Sequence, residues 1–373
     1  MGRQTCASQG ADPAARQDEF GSHSPVRLRG VATIDFRSDT VAMPSPEMRR
    51  AMVEAPLGDD VFGDDPTTNK LMEVAAERMG KEAATFVPSG TMGNLIGIAV
   101  NAQRGEEMIA DAESHAFWYE TAGAAAVCGV QIRPIATEAG VMSPQQIVDA
   151  VRPRDDPHQP ITAAVTFEDT HNRHGGIAWP LEDLRAARDA AHAKGLRVHL
   201  DGARIFNASV ALGVDSREIA GCADTVTFCL SKGLACPIGS IFCGSEESVE
   251  EARRWRKRLG GGMRQVGVLA AAGLIALDQM VDRLAEDHAN ARTLAEGLSE
   301  LPGVRCDLRR VQTNLVYFDL ENMSAPEFTD ACARRGLLSD YMGPRRMRFV
   351  THYGIDAGDI QSALKICEEV LSA

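Results

Sequence analysis

Thr225-Val226-Thr227-Phe228-Cys229-Leu230-Ser231-Lys232-Gly233-Leu234 is an apolar, strand-like run that ends in a lysine and breaks at a glycine. Such a run reads as a buried strand. A lysine at its mouth is desolvated, which lowers its pKa and frees the amine to attack carbonyls. Working outward, similar runs recur at residues 84–87, 107–109, 163–167, 197–200 and 240–243, with helical patterns between most of them, such as residues 181–193. Asp65-Pro66 offers a helix start, Leu71, Val74, Ala75 and Met79 make one apolar face, and Gly80 closes it. The alternation predicts an α/β fold, a mainly parallel sheet covered on both faces. Ligands of such sheets bind outside the carboxyl ends of the strands.

After about residue 290 the pattern restarts, with strands at 314–318 and 347–351, a helix near 325–335 and a last helix from Asp356. This predicts a large domain over residues 47–290 and a smaller C-terminal α/β domain over 291–373, joined by the segment 31–46. Residues 1–30, rich in Gly, Ser, Ala, Gln and Asp, read as a disordered tail and lack the apolar core of a signal peptide. The longest apolar run, residues 266–277, is too short to span a bilayer and suits a close-packed buried helix.

A chain of 373 residues with 44% apolar and 24% charged residues has the composition of a globular enzyme. The 39 basic and 52 acidic residues leave a net charge of -13, which argues against nucleic acid or an anionic membrane as partner. The nine cysteines contain no Cys-x-x-Cys pair, so they predict reduced thiols in the cytoplasm and argue against a structural zinc framework. No Gly-x-Gly-x-x-Gly follows a strand, which disfavours a nicotinamide dehydrogenase.

An amine like that of Lys232 is what pyridoxal phosphate requires for its Schiff base. Three other segments supply what the same cofactor needs. Ser89-Gly90-Thr91 lies between a strand and a helix, where backbone N–H groups and the helix dipole face an anion, although a Ser-Gly-Thr alone is usually a turn. Asp201 closes the strand Val198-His199-Leu200 and can pair a pyridinium nitrogen, or cap the helix that follows. Arg204 can take a carboxylate with its fork. His115 can stack on a ring and move protons near neutral pH.

Together, Arg37-Ser38-Asp39-Thr40-Val41, Gly58-Asp59-Asp60-Val61-Phe62-Gly63, Pro88-Ser89-Gly90-Thr91-Met92-Gly93-Asn94, Thr170-His171-Asn172-Arg173, His199-Leu200-Asp201-Gly202-Ala203-Arg204, Ser231-Lys232-Gly233 and Gly260-Gly261-Gly262-Met263-Arg264-Gln265 resemble, in order and spacing, the threonine aldolases. These belong to the fold type I, transferase-like enzymes dependent on pyridoxal 5'-phosphate. The resemblance runs from about Ile34 to the C-terminus. It implies Lys232 as the Schiff-base lysine, Asp201 as the ring-nitrogen partner, Gly90 and Thr91 as the phosphate cup and His115 as the stacking histidine. It further implies Ser38, Arg204 and Arg348 as the substrate-carboxylate clamp, and Lys257 and Arg264 as bases lent to a neighbouring subunit's phosphate. His158 corresponds to a second histidine near the substrate hydroxyl.

The reaction implied is retro-aldol cleavage of L-threonine, L-allo-threonine or a related L-β-hydroxy-α-amino acid to glycine and an aldehyde, in a homotetramer built as a dimer of dimers. His115, His158 and, more distantly, His171 compete for the role of base. A β-eliminating lyase or transaldolase-like enzyme would share every cofactor residue, and a catalytically silent pyridoxal-binding protein would share most. Cys236, Phe206 and Glu168-Asp169-Thr170 depart from the family pattern without removing a catalytic group.

Overall fold

Asp65 accepts a hydrogen bond from the Thr68 N–H at 2.8 Å and so caps the helix Pro66–Met79, which Gly80 ends in the left-handed region. The helix delivers the chain into Ala83–Val87, the first strand of a seven-stranded sheet. In this computed structural model, residues 33–372 are described, so the expected tail over residues 1–30 lies outside them.

Across the sheet the strands run Ala83–Val87, Ser240–Gly244, Thr225–Cys229, Arg197–Asp201, Thr162–Glu168, Glu107–Asp111 and Gln131–Ile135. Ser240–Gly244 is antiparallel to both of its neighbours, and all other pairings are parallel. The sheet is mainly parallel, as the alternation predicts. Gln131–Ile135 is a strand that the apolar runs do not predict. It is an edge strand containing Pro134, and its exposure and missing donor hide it from an apolar-run reading.

The helix Gly90–Asn101 lies close on one face of the sheet because two of its residues carry no side chain. A Cβ on Gly93 would stand 2.4 Å from Thr227 Cγ2, and one on Gly97 would stand 2.2 Å from the His199 ring. Four of the five parallel strands end at Asp111, Glu168, Asp201 and Cys229, all at one edge of the sheet. Register sets Glu168 opposite Asp201 and Asp201 opposite Thr227.

A second core gathers around Phe318 and Phe349, on the antiparallel pair Leu315–Leu320 and Arg346–Val350, and Phe328, on the helix Ala325–Ala333. Phe36 belongs to it, stacked on Phe349 with ring centres 5.3 Å apart, and Ile34–Asp35 pairs with Leu337–Leu338. The apolar run near residue 270 forms the buried helix Gly267–Ile275. No helix among the described residues is long and apolar enough to cross a membrane, and the eight described cysteines are free thiols.

Candidate active site

Asp201 ends its strand buried, and two donors fix it. Asn94 Nδ2 gives its Oδ2 a hydrogen bond of 2.8 Å, and the Ala203 N–H gives its Oδ1 one of 3.1 Å. The second bond is a local turn; the helix that follows, Ile205–Leu212, starts beyond it with Arg204 as its capping residue. Asp201 therefore orders the turn and keeps its carboxylate at the strand mouth.

His115 begins the one-turn helix His115–Trp118 after the strand Glu107–Asp111. Its backbone N–H donates to Glu168 Oε2 at 2.6 Å, and its Nδ1 meets Glu120 Oε1 at 2.9 Å. Asn94 also donates to Glu120 Oε1, so one amide ties Glu120 to Asp201. A ring nitrogen of His115 and carboxylate oxygens of Glu120 and Asp201 lie within 4.8 Å of one another. Burial works against charge on the imidazole, but the Glu120 hydrogen bond and the nearby Asp201 charge outweigh it and raise its pKa. Burial also raises the Glu120 carboxyl.

Ser89 caps the helix Gly90–Asn101 through a 3.1 Å bond to the Met92 N–H. That bond satisfies the Met92 N–H, while the N–H groups of Gly90 and Thr91 have no intrahelical acceptor, as at the start of any helix. A Cβ on Gly90 would stand 2.8 Å from Cys229 Sγ, at the end of the neighbouring strand. Thr227 Oγ1, Ser240 Oγ, Asn94 Oδ1 and Glu120 Oε2 are buried without a protein partner, so polar capacity remains for a ligand.

Lys232 lies half-buried in the loop between Thr225–Cys229 and Ser240–Gly244. Three backbone bonds shape that loop: Leu230 N to Gly239 O, Cys236 N to Leu230 O and Ala235 N to Lys232 O. Lys232 follows the strand that pairs with Arg197–Asp201, and its charge acts on both Asp39 and His115. Cys236 is buried in this loop, and Phe206 packs edge-on against Phe228, so neither departure from the family pattern is an exposed pocket group.

The three clamp residues expected from the sequence are engaged in distinct ways. Ser38 caps the short 3-10 turn Asp39–Val41 by accepting from the Thr40 N–H at 3.2 Å. Arg204 gives Nε and Nη2 to Asp39, which leaves Nη1 for other contacts. Arg348 gives Nη2 to Arg37 O at 2.9 Å and Asp340 Oδ2 at 3.0 Å, while its buried Nε has no protein partner. The sequence singles out no role for Asp39, Asn94, Glu120 or Glu168, although Asp39 and Asn94 fall within family-like motifs.

His158 stands apart. It precedes the strand Thr162–Glu168, at the opposite end from Glu168, with its side chain 89% exposed and its Nδ1 3.0 Å from Asp156. Within one protomer it does not join the His115 group. Lys257, on the helix Glu246–Arg258, and Arg264 are exposed, and Arg264 pairs with Asp59 at 3.0 Å.

The family model described as beta-eliminating lyase matches residues 35–321. Over 323 residues the chain is 42% identical to the low specificity L-threonine aldolase of Escherichia coli strain K12, covering 86% of this chain and 94% of that protein. It is 40% identical over 345 residues to low-specificity L-threonine aldolase 1 of Arabidopsis thaliana, covering 91% and 96%. The chain belongs to the threonine aldolase family. Among solved structures, a threonine aldolase of Leishmania major matches this family member with a TM-score of 0.79 at 19% identity, covering 90% of this chain and 99% of that one. A serine palmitoyltransferase of Sphingomonas wittichii gives a TM-score of 0.72 at 18% identity, covering 91% and 87%. These likenesses show the fold, which is that of the fold type I enzymes.

Proposed function

We propose that the chain is a pyridoxal 5'-phosphate-dependent carbon–carbon lyase that cleaves L-threonine, L-allo-threonine or related L-β-hydroxy-α-amino acids to glycine and an aldehyde. The observation that carries this reading is the grouping of His115, Glu120 and Asp201, tied by Asn94 to the first turns of the helix Gly90–Asn101, with Lys232 on the loop that follows the strand next to that of Asp201. Family membership supports it.

The residues present fit the cofactor. The Gly90 and Thr91 N–H groups would hold its phosphate, Asp201 its protonated ring nitrogen and His115 one face of its ring, while Lys232 would carry it covalently. When bound, the cofactor supplies a sink for the electron pair released as the Cα–Cβ bond of the amino acid breaks. Asn94 holds the Asp201 carboxylate in place for that partnership.

Arg348 Nε, Arg204 Nη1 and Ser38 Oγ would grip the substrate carboxylate and turn the scissile bond into the reactive orientation. Charge-assisted hydrogen bonds of this kind contribute about 1.5–3 kcal/mol each. With Nδ1–H of His115 donated to Glu120, Nε2 is the nitrogen that would take the β-hydroxyl proton. His158, exposed on its loop, would reach a reaction only across a subunit boundary.

Such a boundary is part of the reading. The exposed apolar side chains of Leu57, Val61 and Phe62 lie in the loop whose Asp60 N–H bonds Arg264 O, beside the exposed Lys257 and Arg264 bases. They support a homotetramer in which these bases serve a neighbour's phosphate site. The free thiols support a cytoplasmic location.

The test is product analysis with purified, cofactor-loaded protein, offering L-threonine and L-allo-threonine side by side. Glycine and acetaldehyde are expected, and the rate ratio gives the preference at Cβ. Ammonia and a keto acid instead would overturn the reading in favour of β-elimination.

A further inference from the structure

Asp111, His171 and His174 form a second group of metal-binding side chains that the proposed reaction does not use. Asp111 ends the strand Glu107–Asp111, and both histidines lie on the loop that follows the strand Thr162–Glu168. His171 Nε2 stands 3.1 Å from Asp111 Oδ1, and His174 Nε2 stands 3.6 Å from the same oxygen. The two rings are 4.6 Å apart and nearly edge-to-face.

The 3.6 Å separation is too long for a hydrogen bond. Hydrogen bonding alone therefore leaves His174 Nε2 buried and without a partner. An ion changes that account. A tetrahedral zinc about 2.0–2.1 Å from its nitrogen and oxygen ligands sets neighbouring ligand atoms roughly 3.3–3.4 Å apart. The two separations from Asp111 bracket that value. We propose that Asp111, His171 and His174 bind a divalent cation, with zinc the best match to two imidazoles and a carboxylate.

Two features beyond the ligands favour the site. Thr137 Oγ1 donates to Asp111 Oδ2 at 2.6 Å and the Glu113 N–H donates to Oδ1 at 2.7 Å, so the carboxylate is oriented by its surroundings. A Cβ on Gly140 would stand 2.3 Å from the His171 ring, so the loop backbone lies against the imidazole and restricts its rotation. His171 Nδ1 has no partner, whereas ligating imidazoles usually donate from the far nitrogen. The affinity is correspondingly that of three ligands with one unsupported ring.

Three protein ligands leave a coordination position open. His174 also lines a cleft of about 130 Å³ with Tyr317, Asp319 and Arg346. Glu168 Oε2, which holds the His115 N–H, lies 3.9 Å from His171 Nε2. The ion would thus tie the loop at residues 171–174 to the strand end one contact away from His115.

The test takes purified, cofactor-loaded protein, strips metal with a chelator, and titrates it with zinc chloride by calorimetry and with cobalt(II) by visible spectroscopy. Wild type should bind a single equivalent of zinc per chain, show the intense visible bands of four-coordinate cobalt, and melt at higher temperature when zinc is present. His174→Ala should weaken zinc binding on the order of 100-fold or more and lose the melting shift. Asp111→Asn should do the same, and circular dichroism of both metal-free variants should match wild type. If either variant fails to fold, the cobalt spectrum of wild type still decides. Absent or sub-stoichiometric binding in wild type, a six-coordinate cobalt spectrum, or undiminished uptake by folded His174→Ala overturns the proposal.

Discussion

Arg204 and Asp39 form a two-point ion pair, Nε to Oδ2 at 2.7 Å and Nη2 to Oδ1 at 2.8 Å, with both side chains buried. Burial alone would push the Asp39 carboxyl up, but the Arg204 guanidinium and the Lys232 charge hold it well below the usual carboxylate range. Breaking a buried pair from one side leaves an uncompensated charge. Asp39→Asn should therefore cost roughly 3–5 kcal/mol of unfolding free energy in urea titrations. The double variant Asp39→Leu/Arg204→Met should recover part of that loss. A single-variant loss under about 1 kcal/mol would mean that water reaches the pair.

Lys232 is the lysine placed by the fold at the mouth of the strand Thr225–Cys229, with its charge felt at His115 and Asp39. Lys232→Ala should abolish aldehyde release from either threonine isomer. It should also lose the cofactor's absorbance on desalting, where wild type keeps it. Turnover near the wild-type rate would remove Lys232 from the reaction.

The proposed phosphate site at Gly90 and Thr91 has a tolerance that can be measured. Gly90→Ala would place a Cβ 2.8 Å from Cys229 Sγ, so the first turn of the helix or the strand end must shift. Cofactor affinity should fall on the order of 10–100-fold, by loss of one or two well-placed N–H contacts. Cys229→Ala combined with Gly90→Ala makes room and should restore much of it. An unchanged dissociation constant for Gly90→Ala would place the phosphate elsewhere.

His199 predicts a pH dependence of stability. Burial pushes its pKa down to about 4, so the folded chain keeps a neutral ring where the unfolded chain takes up a proton. Between pH 6.5 and 4 the unfolded state binds more protons at this site, and stability falls as pH falls. The loss reaches on the order of 3 kcal/mol at the acidic end. His199→Asn cannot take that proton and can still bond Thr225 Oγ1, which meets the His199 Nδ1 at 2.9 Å. Its urea midpoint should drop less than that of wild type between pH 7 and 4. Parallel curves would show that the ring is not the group responsible.

Elements whose signals are local were legible in the chain. Asp65 and Gly80 bound a helix because one caps its first turn and the other accepts a left-handed backbone. The six expected strands of the large sheet are apolar runs of the kind that burial on both faces requires. Gln131–Ile135 escaped because an edge strand with a proline lacks that pattern. In the site, strand-end residues such as Asp201 and Lys232 could be named from position alone. Their partners could not. Asp39 and Arg204 stand 165 residues apart, and Glu120 follows a single helical turn into an irregular stretch that carries no periodicity. His158 lies on a loop, and position along the chain says nothing about the end of the sheet at which a loop emerges.

The closeness of Gly93 to Thr227 and of Gly97 to the His199 ring turns the sheet into a hard stop for the helix Gly90–Asn101. Gly90 lies about 10 Å along the axis from Gly97, so a small tilt at the stop becomes a displacement at the helix tip. The two missing methyl groups act as a datum surface against which the tip is gauged. A single carbon added at Gly97, remote from any ligand, would be read out as misplacement of the N–H groups of Gly90 and Thr91.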